Sequence, residues 1–489
     1  MSRSGAGWIV FVLVVTGGGF TAGAVGLLET FGAPDSRHPF AARVLGDGPS
    51  AAYFNPGLLL FQEPGLRLGA SAIWQDLDVE LQNRPPGVDV TGAIYRARIL
   101  NPDGSTSRLV FRPLPNDRLR ASRGSYGPDS FSLVVQFGAN VSLIENRLAL
   151  GFYSVLPTSA FGGQTTFFPD EREQYFSNSL HFELFEDRLD GSMFCLALAG
   201  RPLDWLWLGA GVVMTNVSEV TSSIFVPDAA DQETADINTD ISINMRFEPH
   251  FGVVVEPLEG LLVTGTLHLE ARNDVDGTGD IQLWDYPYPE GQDSLDQTFA
   301  FSQGYNPLRA SLGAAYRGGG GGGLSWAAGA SVLWSRWSEY RDRHQQRPAD
   351  AWSDNWAVSL GSEISWGSQH VALDAIFVPS PVPDQEGRSN YVDNHRLGFG
   401  LGWQWRPEFG AGRLTLTAQV QMQHLFDRKV QKSDRAAHPV FDEFPESIEI
   451  QTGEVIADSL GFQTNNPGYP GFSSRGWLWA AGLSLAYNY

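Results

Sequence analysis

Hydrophobic and polar residues alternate one by one along much of this chain. Between 413 and 423, Leu414, Leu416, Ala418, Val420 and Met422 fall on one side, and Thr415, Thr417, Gln419, Gln421 and Gln423 on the other. A period of two is that of a β-strand with two different faces. The same rhythm runs from Phe131 to Ser142 and from Trp356 to Ser365. At the end of the chain it would place Trp477, Trp479, Ala481, Leu483, Leu485, Tyr487 and Tyr489 on one face. A soluble sandwich alternates too. Here, however, the second face stays small and polar along whole strands, and aromatic residues gather at strand ends, as in Trp205/Trp207, Trp334/Trp337 and Trp403/Trp405. An apolar exterior around a polar lumen produces that combination, which predicts an all-β, transmembrane antiparallel barrel.

Such segments lie near 65–81, 130–143, 147–161, 178–201, 205–225, 237–256, 261–284, 307–317, 324–340, 352–366, 370–379, 394–406, 412–430 and 475–489. They number fourteen, and single-chain bacterial barrels have an even count. Short connectors at 144–146, 202–204, 257–260, 318–323, 367–369 and 407–412 interleave with long ones at 82–129, 162–177, 226–236, 285–306, 341–351, 380–393 and 431–474. Short periplasmic turns and long external loops are the layout of the outer membrane. The glycine run 318–323 lacks the Lys-Ser/Thr of a phosphate-binding loop and sits between strands, so it reads as a turn.

Residues 1–24 read as a signal peptide: Arg3, an apolar run from Trp8 to Val15, then Ala22-Gly23-Ala24 as a cleavage site. That run falls short of the roughly 20 residues a membrane-spanning helix needs. Residues 25–64 do not alternate, yet they carry Phe40, Val44, Ala51-Ala52-Tyr53-Phe54, Asn55-Pro56-Gly57 and Leu58-Leu59-Leu60-Phe61. An apolar but irregular stretch needs shelter from water, and the lumen of a barrel formed by 65–489 would supply it. The expectation is an N-terminal hatch, or plug.

Composition narrows the functions. After residue 24 no stretch is long and apolar enough for a membrane helix, yet the chain holds 15 Trp, 14 Tyr and 30 Phe. A barrel can place such rings at the two lipid–water boundaries. A net charge of −22 argues against nucleic acid, which needs a basic footprint. The single cysteine, Cys195, rules out a disulfide framework and reads as a packing residue. The nine histidines form no HExxH or paired metal spacing, and there is no GxSxG elbow, so neither a cofactor nor catalysis is expected. Acidic residues crowd long loops such as 228–240, where a solvated surface explains them and a calcium or lipopolysaccharide bridge is an alternative. The rival functions are a diffusive porin or structural barrel and, more remotely, an outer-membrane lipase.

Several stretches resemble the FadL-like outer-membrane transporters, which carry long-chain fatty acids and aromatic hydrocarbons. Asn55-Pro56-Gly57 is similar to the family's Asn-Pro-Ala plug motif, and Trp334-Ser335-Arg336-Trp337-Ser338-Glu339-Tyr340 to its Trp-Ser-x-Phe/Tyr strand end. Ser380-Pro381-Val382-Pro383, with Asp393 and Arg396 beyond it, resembles the family's Ser-Pro-Val-Pro loop and Asp-x-x-Arg. The segment from Trp477 to Tyr489 is similar to its closing strand. The resemblance implies a monomeric fourteen-stranded barrel among outer-membrane lipid and lipopolysaccharide. A hydrophobic ligand, fatty acid or hydrocarbon, would be captured outside, held in an apolar lumenal pocket and released sideways where the third strand kinks. The matching kink would be Phe161-Gly162-Gly163, since glycine in a strand often marks a bend; a plain strand end is the alternative.

Three departures stand out. Gly57 replaces the family's Ala. The connector 226–236 is short where the family builds its capture groove, so loop 431–474, with Phe441, Phe444, Ile448, Ile450 and Tyr469, becomes the candidate. Finally, Thr221-Ser222-Ser223-Ile224-Phe225 contains no Lys or Arg to meet a carboxylate, which favours a neutral hydrocarbon.

Overall fold

A computed structural model describes residues 24–83, 98–100, 106–108, 125–126, 129–158, 180–185, 192–226, 236–283, 294–319, 323–342, 344–409, 412–433, 440–444 and 462–488. Fourteen strands close into one ring. They are β1 (Gly65–Leu81), β2 (Asp129–Ile144), β3 (Leu148–Pro157), β4 (Met193–Leu203), β5 (Leu206–Val226), β6 (Asp236–Leu258) and β7 (Leu261–His268). The second half comprises β8 (Arg309–Gly319), β9 (Leu324–Ser335), β10 (Asn355–Trp366), β11 (Gln369–Val378), β12 (Arg396–Trp405), β13 (Gly412–Gln431) and β14 (Gly471–Asn488). Each is antiparallel to the next. The ring closes where β14 meets β1, with Leu66 opposite Tyr487 and Trp74 opposite Trp479. Closure removes both sheet edges, the only way a sheet satisfies its backbone in lipid.

The alternation becomes two surfaces. Leu66, Leu68, Leu312, Leu360, Leu483 and Leu485 are exposed, whereas Arg67, Ser71, Ser311, Ser359 and Ser484 are buried. The polar side therefore faces inward and the apolar side outward, around the whole ring. An apolar belt of this extent has no place in water. Trp74, Trp205, Trp326, Trp356, Trp366 and Trp479 lie exposed on the same outer face, as boundary aromatics do in membrane barrels.

Several expected boundaries need correction. The fourth strand begins at Met193, not near 178, and the ninth ends at Ser335 before a 3-10 turn, Trp337–Glu339. The seventh divides: β7 stops at His268, and the chain resumes as a strand at Ala271–Leu283 that pairs with Leu295–Asn306, a stretch read from sequence as loop. The strands on either side of 226–236 stand close to their expected bounds. This connector tips a hairpin whose arms, β5 and β6, run 21 and 23 residues, about twice the 9–11 a membrane crossing needs. Residues 219–226 of β5 pair in parallel with 276–283, so two hairpins join into a sheet beyond the ring. Strands above the membrane have no lipid to demand an apolar face. Their alternation fades while the hydrogen bonding persists.

The N-terminal segment forms α1 (Ala24–Phe31), α2 (Ala42–Leu45), α3 (Ala51–Phe54) and a 3-10 helix, Pro56–Phe61. Leu27, Leu28, Phe31, Ala52, Phe54, Leu58 and Leu59 are buried in one cluster with inward residues of the strands. Wall residues from all around the ring reach it. Asn140 of β2 donates to Leu59 O (3.1 Å), Gln421 and Gln423 of β13 to Phe31 O (2.8 Å) and Thr30 O (2.7 Å), and Ser484 of β14 to Asp35 O (3.2 Å). An irregular buried chain has carbonyls that no regular ladder satisfies; the lumenal amides satisfy them.

Candidate functional site

Asn55, Pro56 and Gly57 come together on the inner wall. The fully buried Asn55 accepts a hydrogen bond at Oδ1 from Gly57 N (3.1 Å) and donates from Nδ2 to Arg43 O (3.2 Å). Its side chain thus caps the 3-10 helix, with Pro56 at the first helical position, where a missing N–H costs nothing. The turn lies against Gly209 of β5 and Gly252 of β6, which are partners in register. A Cβ on Gly209 would meet the Pro56 and Gly57 backbone, and one on Gly252 would meet Asn55 Oδ1 and Pro56. The wall is bare backbone where the motif rests.

Two buried charge clusters tie this segment to the strands. In the first, Arg37 donates from Nε to Glu363 of β10 (2.7 Å) and from Nη1 to Asp47 (2.5 Å) and to Gln404 of β12 (2.8 Å). His38 lies 2.9 Å from Asp374 of β11 and 3.1 Å from Glu363, and Asp374 also accepts from the Phe40 and Ala41 amides. Burial alone would raise the Asp47 carboxyl, but Arg37 and Arg67 outweigh it and hold the group well below the usual range. In the second cluster, Glu29 meets Arg43 (2.8 Å), the Tyr53 hydroxyl (2.6 Å) and Arg309 of β8 (2.6 Å). Arg309 also reaches Glu248 of β6 at 3.1 Å. Unpaired charge in such surroundings is prohibitively costly, and each of these groups has its counter-charge.

Ser380, Pro381, Val382 and Pro383 form the loop between β11 and β12. Arg428 of β13 organises it, donating to Ser380 Oγ (2.8 Å), Val382 O (2.6 Å), Pro383 O (2.6 Å) and Asp393 O (3.1 Å). Val382 packs with Tyr305, Tyr340, Trp352 and Tyr391, of which Tyr340 and Trp352 stack with centroids 3.9 Å apart. Asp393 is buried, which pushes its carboxyl upward despite the Ser380 hydroxyl and Arg396 nearby. Arg396, at the start of β12, reaches Thr30 Oγ1 at 3.4 Å and so belongs to the lumen rather than to the loop.

Phe161, Gly162 and Gly163 lie outside the described residues, as do 1–23, Ile448 and Ile450. Phe441 and Phe444 fall in a small hairpin with 462–465, and Tyr469 is buried. Cys195 packs against the segment, its Sγ 3.4 Å from Ala52 O. Among the described residues, no group of three His, Cys, Asp or Glu side chains is placed to hold a metal ion. Sequence reasoning missed Arg309, Glu248, Asp374 and Arg428. A usable signal existed: a full charge at an inward position within a spanning strand must have a partner.

These features define the class, a closed fourteen-stranded barrel of the outer-membrane type with a folded segment bonded inside it. No family model matches the sequence, and no curated protein matches it. Among solved structures it is similar to a Pseudomonas aeruginosa FadL homologue, with a TM-score of 0.50 and 15% identity over 96% of this chain and 98% of that one. It also aligns with the P. putida toluene transporter TodX (TM-score 0.43, 10% identity, 94% and 99% covered). For the Ralstonia pickettii toluene transporter TbuX the values are 0.41, 11%, 93% and 99%. The chain has the fold of the FadL homologue.

Proposed function

We propose that this protein carries small hydrophobic molecules, long-chain fatty acids or hydrocarbons, across the outer membrane of a Gram-negative bacterium. In this reading residues 25–64 act as a hatch gated at Asn55-Pro56-Gly57, and ligand leaves sideways into lipid at Phe161-Gly162-Gly163. The observation that carries it is the lumen's occupant: an apolar-cored segment, bonded to β2, β13 and β14 and also to β8, β10 and β11, stands where a diffusive porin keeps an open water path. A greasy solute gains about 0.8 kcal/mol for each CH₂ it keeps out of water, so a dry route into lipid suits such cargo. The resemblance of the Asn-Pro-Gly and Ser-Pro-Val-Pro stretches to the FadL-like transporters supports the same reading. The lack of Lys and Arg in 221–225 favours a neutral ligand.

The test pairs a measurement on purified protein with one on cells. Planar bilayers should show almost no ion conductance, and cells carrying the protein should take up radiolabelled toluene or oleate faster than cells without it. Steady porin-like conductance, or uptake no faster than the control, would overturn the proposal.

A further inference from the structure

Residues 180–185 belong to the connection between β3 and β4, yet they dock on the loop between β11 and β12, about half a ring away. His181 N donates to Asn390 O at 2.9 Å, Val392 N donates to His181 O at 2.8 Å, and the His181 ring centroid lies 5.1 Å from that of Tyr391. Connections rooted on opposite sides of a ring meet over its lumen, so this segment crosses the mouth at the long-loop end. Leu180, Phe182 and Phe185 are buried there. Their apolar cluster takes in Leu81 of β1, Val430 of β13 and Phe472 of β14, inward residues near the long-loop ends of those strands. Below, it reaches Leu27, Leu28 and Phe31 of α1.

The two partners are held differently. The loop between β11 and β12 is a braced platform. Gln385 clamps both backbone groups of Tyr391 (2.8 and 2.6 Å), Lys432 donates from Nζ to Gly387 O (2.8 Å) and to Ser389 O, and Asn466 donates to Gly387 O (2.7 Å). Residues 180–185 meet that platform through an isolated bridge at His181, with no ladder continuing from it. A short segment seated in this way opens at a lower free energy than the strands of the ring. Its apolar side chains also decide what can open it. An apolar solute takes over the contacts that Phe182 and Phe185 give up, and little greasy surface meets water in the exchange. Water and ions offer the cluster no such replacement.

We infer that Leu180 to Phe185 form a strap that closes the outer mouth of the barrel above α1, and that an apolar solute enters by displacing Phe182 and Phe185. Closure stands on the geometry of the strap and its platform. Entry past the strap rests on the transport reading proposed above.

Closure is tested by labelling intact cells with a sulfonated maleimide. Leu425→Cys places a thiol in the same buried cluster; the parent protein, whose Cys195 is buried, gives the background. The new thiol should react slowly. Adding Phe182→Ser and Phe185→Ser should speed its reaction about tenfold or more, with heat-modifiable migration on gels reporting a folded barrel. His181→Pro, which removes the donor to Asn390 O, should act in the same direction. Equal rates with and without these changes in folded barrels would overturn the strap. Entry is tested by joining the bridge partners, His181→Cys with Tyr391→Cys. Oxidation with diamide should abolish uptake of radiolabelled toluene, and a reductant should restore it. Uptake unchanged once mass spectrometry shows the disulfide would refute entry past the strap. If reduced cells take up toluene no faster than cells without the protein, the transport reading fails and entry with it, whereas the labelling rates still decide closure.

Discussion

Arg309 on β8 and Glu29 on α1 form a buried ion pair, 2.6 Å between nitrogen and oxygen, joining the N-terminal segment to the wall of the barrel. The same guanidinium holds Glu248 of the adjoining strand β6. One cation thus serves two carboxylates from different parts of the chain. Removing one partner of a buried pair typically costs about 3–5 kcal/mol, because the survivor stays desolvated. Arg309→Gln should therefore loosen the segment while the ring persists, and single-channel openings should appear in planar bilayers. A variant as silent as wild type would mean that this tether does not hold the segment.

His38 sets a pH dependence. Burial works against its charged form, but Asp374 and Glu363 outweigh burial and the nearby Arg37, raising its pKa from the ordinary 6.5 to about 9. A folded-state pKa above the released-state value stabilises docking fully below 6.5 and loses that stabilisation as pH rises through about 9. Conductance measured across this window should climb on the alkaline side. His38→Gln should abolish that component; an identical profile in the variant would refute the assignment.

Asn55→Ala removes a cap of the kind that contributes about 0.5–2 kcal/mol. Gly252→Val attacks the same turn from the wall, since its Cβ would run into Asn55 and Pro56. Both should alter ligand uptake and raise conductance, the valine more than the alanine. If neither variant changes either quantity, the turn has no gating role.

Arg428→Lys tests the loop between β11 and β12. A single ammonium cannot reach Ser380, Val382 and Pro383 together, as the guanidinium does. Losing two such bonds, each about 1 kcal/mol, should speed amide exchange over 380–394 about tenfold or more. Exchange as slow as wild type would show that the aromatic cluster alone holds the loop.

Replacing Gly162 and Gly163 by valine should obstruct the proposed sideways exit. Hydrocarbon uptake should fall while binding of ligand to purified protein is kept. Normal uptake would place the exit elsewhere.

Much of the architecture could be read from the chain. The alternation of Leu414, Leu416, Ala418 and Val420 with Thr415, Thr417 and Gln419 located β13 to within a residue, because lipid on one side and a polar lumen on the other impose opposite chemistry on neighbouring residues. The same rule placed β1 and β12. It was misled at 180–185, where no strand of the ring forms, and at 295–306, where a strand beyond the ring owes its existence to pairing and not to a greasy face. The two longest strands of the ring, read as 205–225 and 237–256, were placed to within two residues.

The contacts inside the ring were not legible. Arg37 and Glu363 are 326 residues apart, and Asn394 bonds Ser474 across 80; no local pattern encodes which cation meets which carboxylate. Residue-by-residue chemistry was enough to establish a closed barrel, its greasy exterior and a sheltered N-terminal stretch, since those follow from what each position must face. Pairing of Arg309 with Glu29, the Asn55 turn resting on Gly209 and Gly252, and the Arg428 clasp arise from closure of the sheet, which brings distant strands to one level and leaves buried charges and carbonyls to be satisfied by whatever side chains that level supplies.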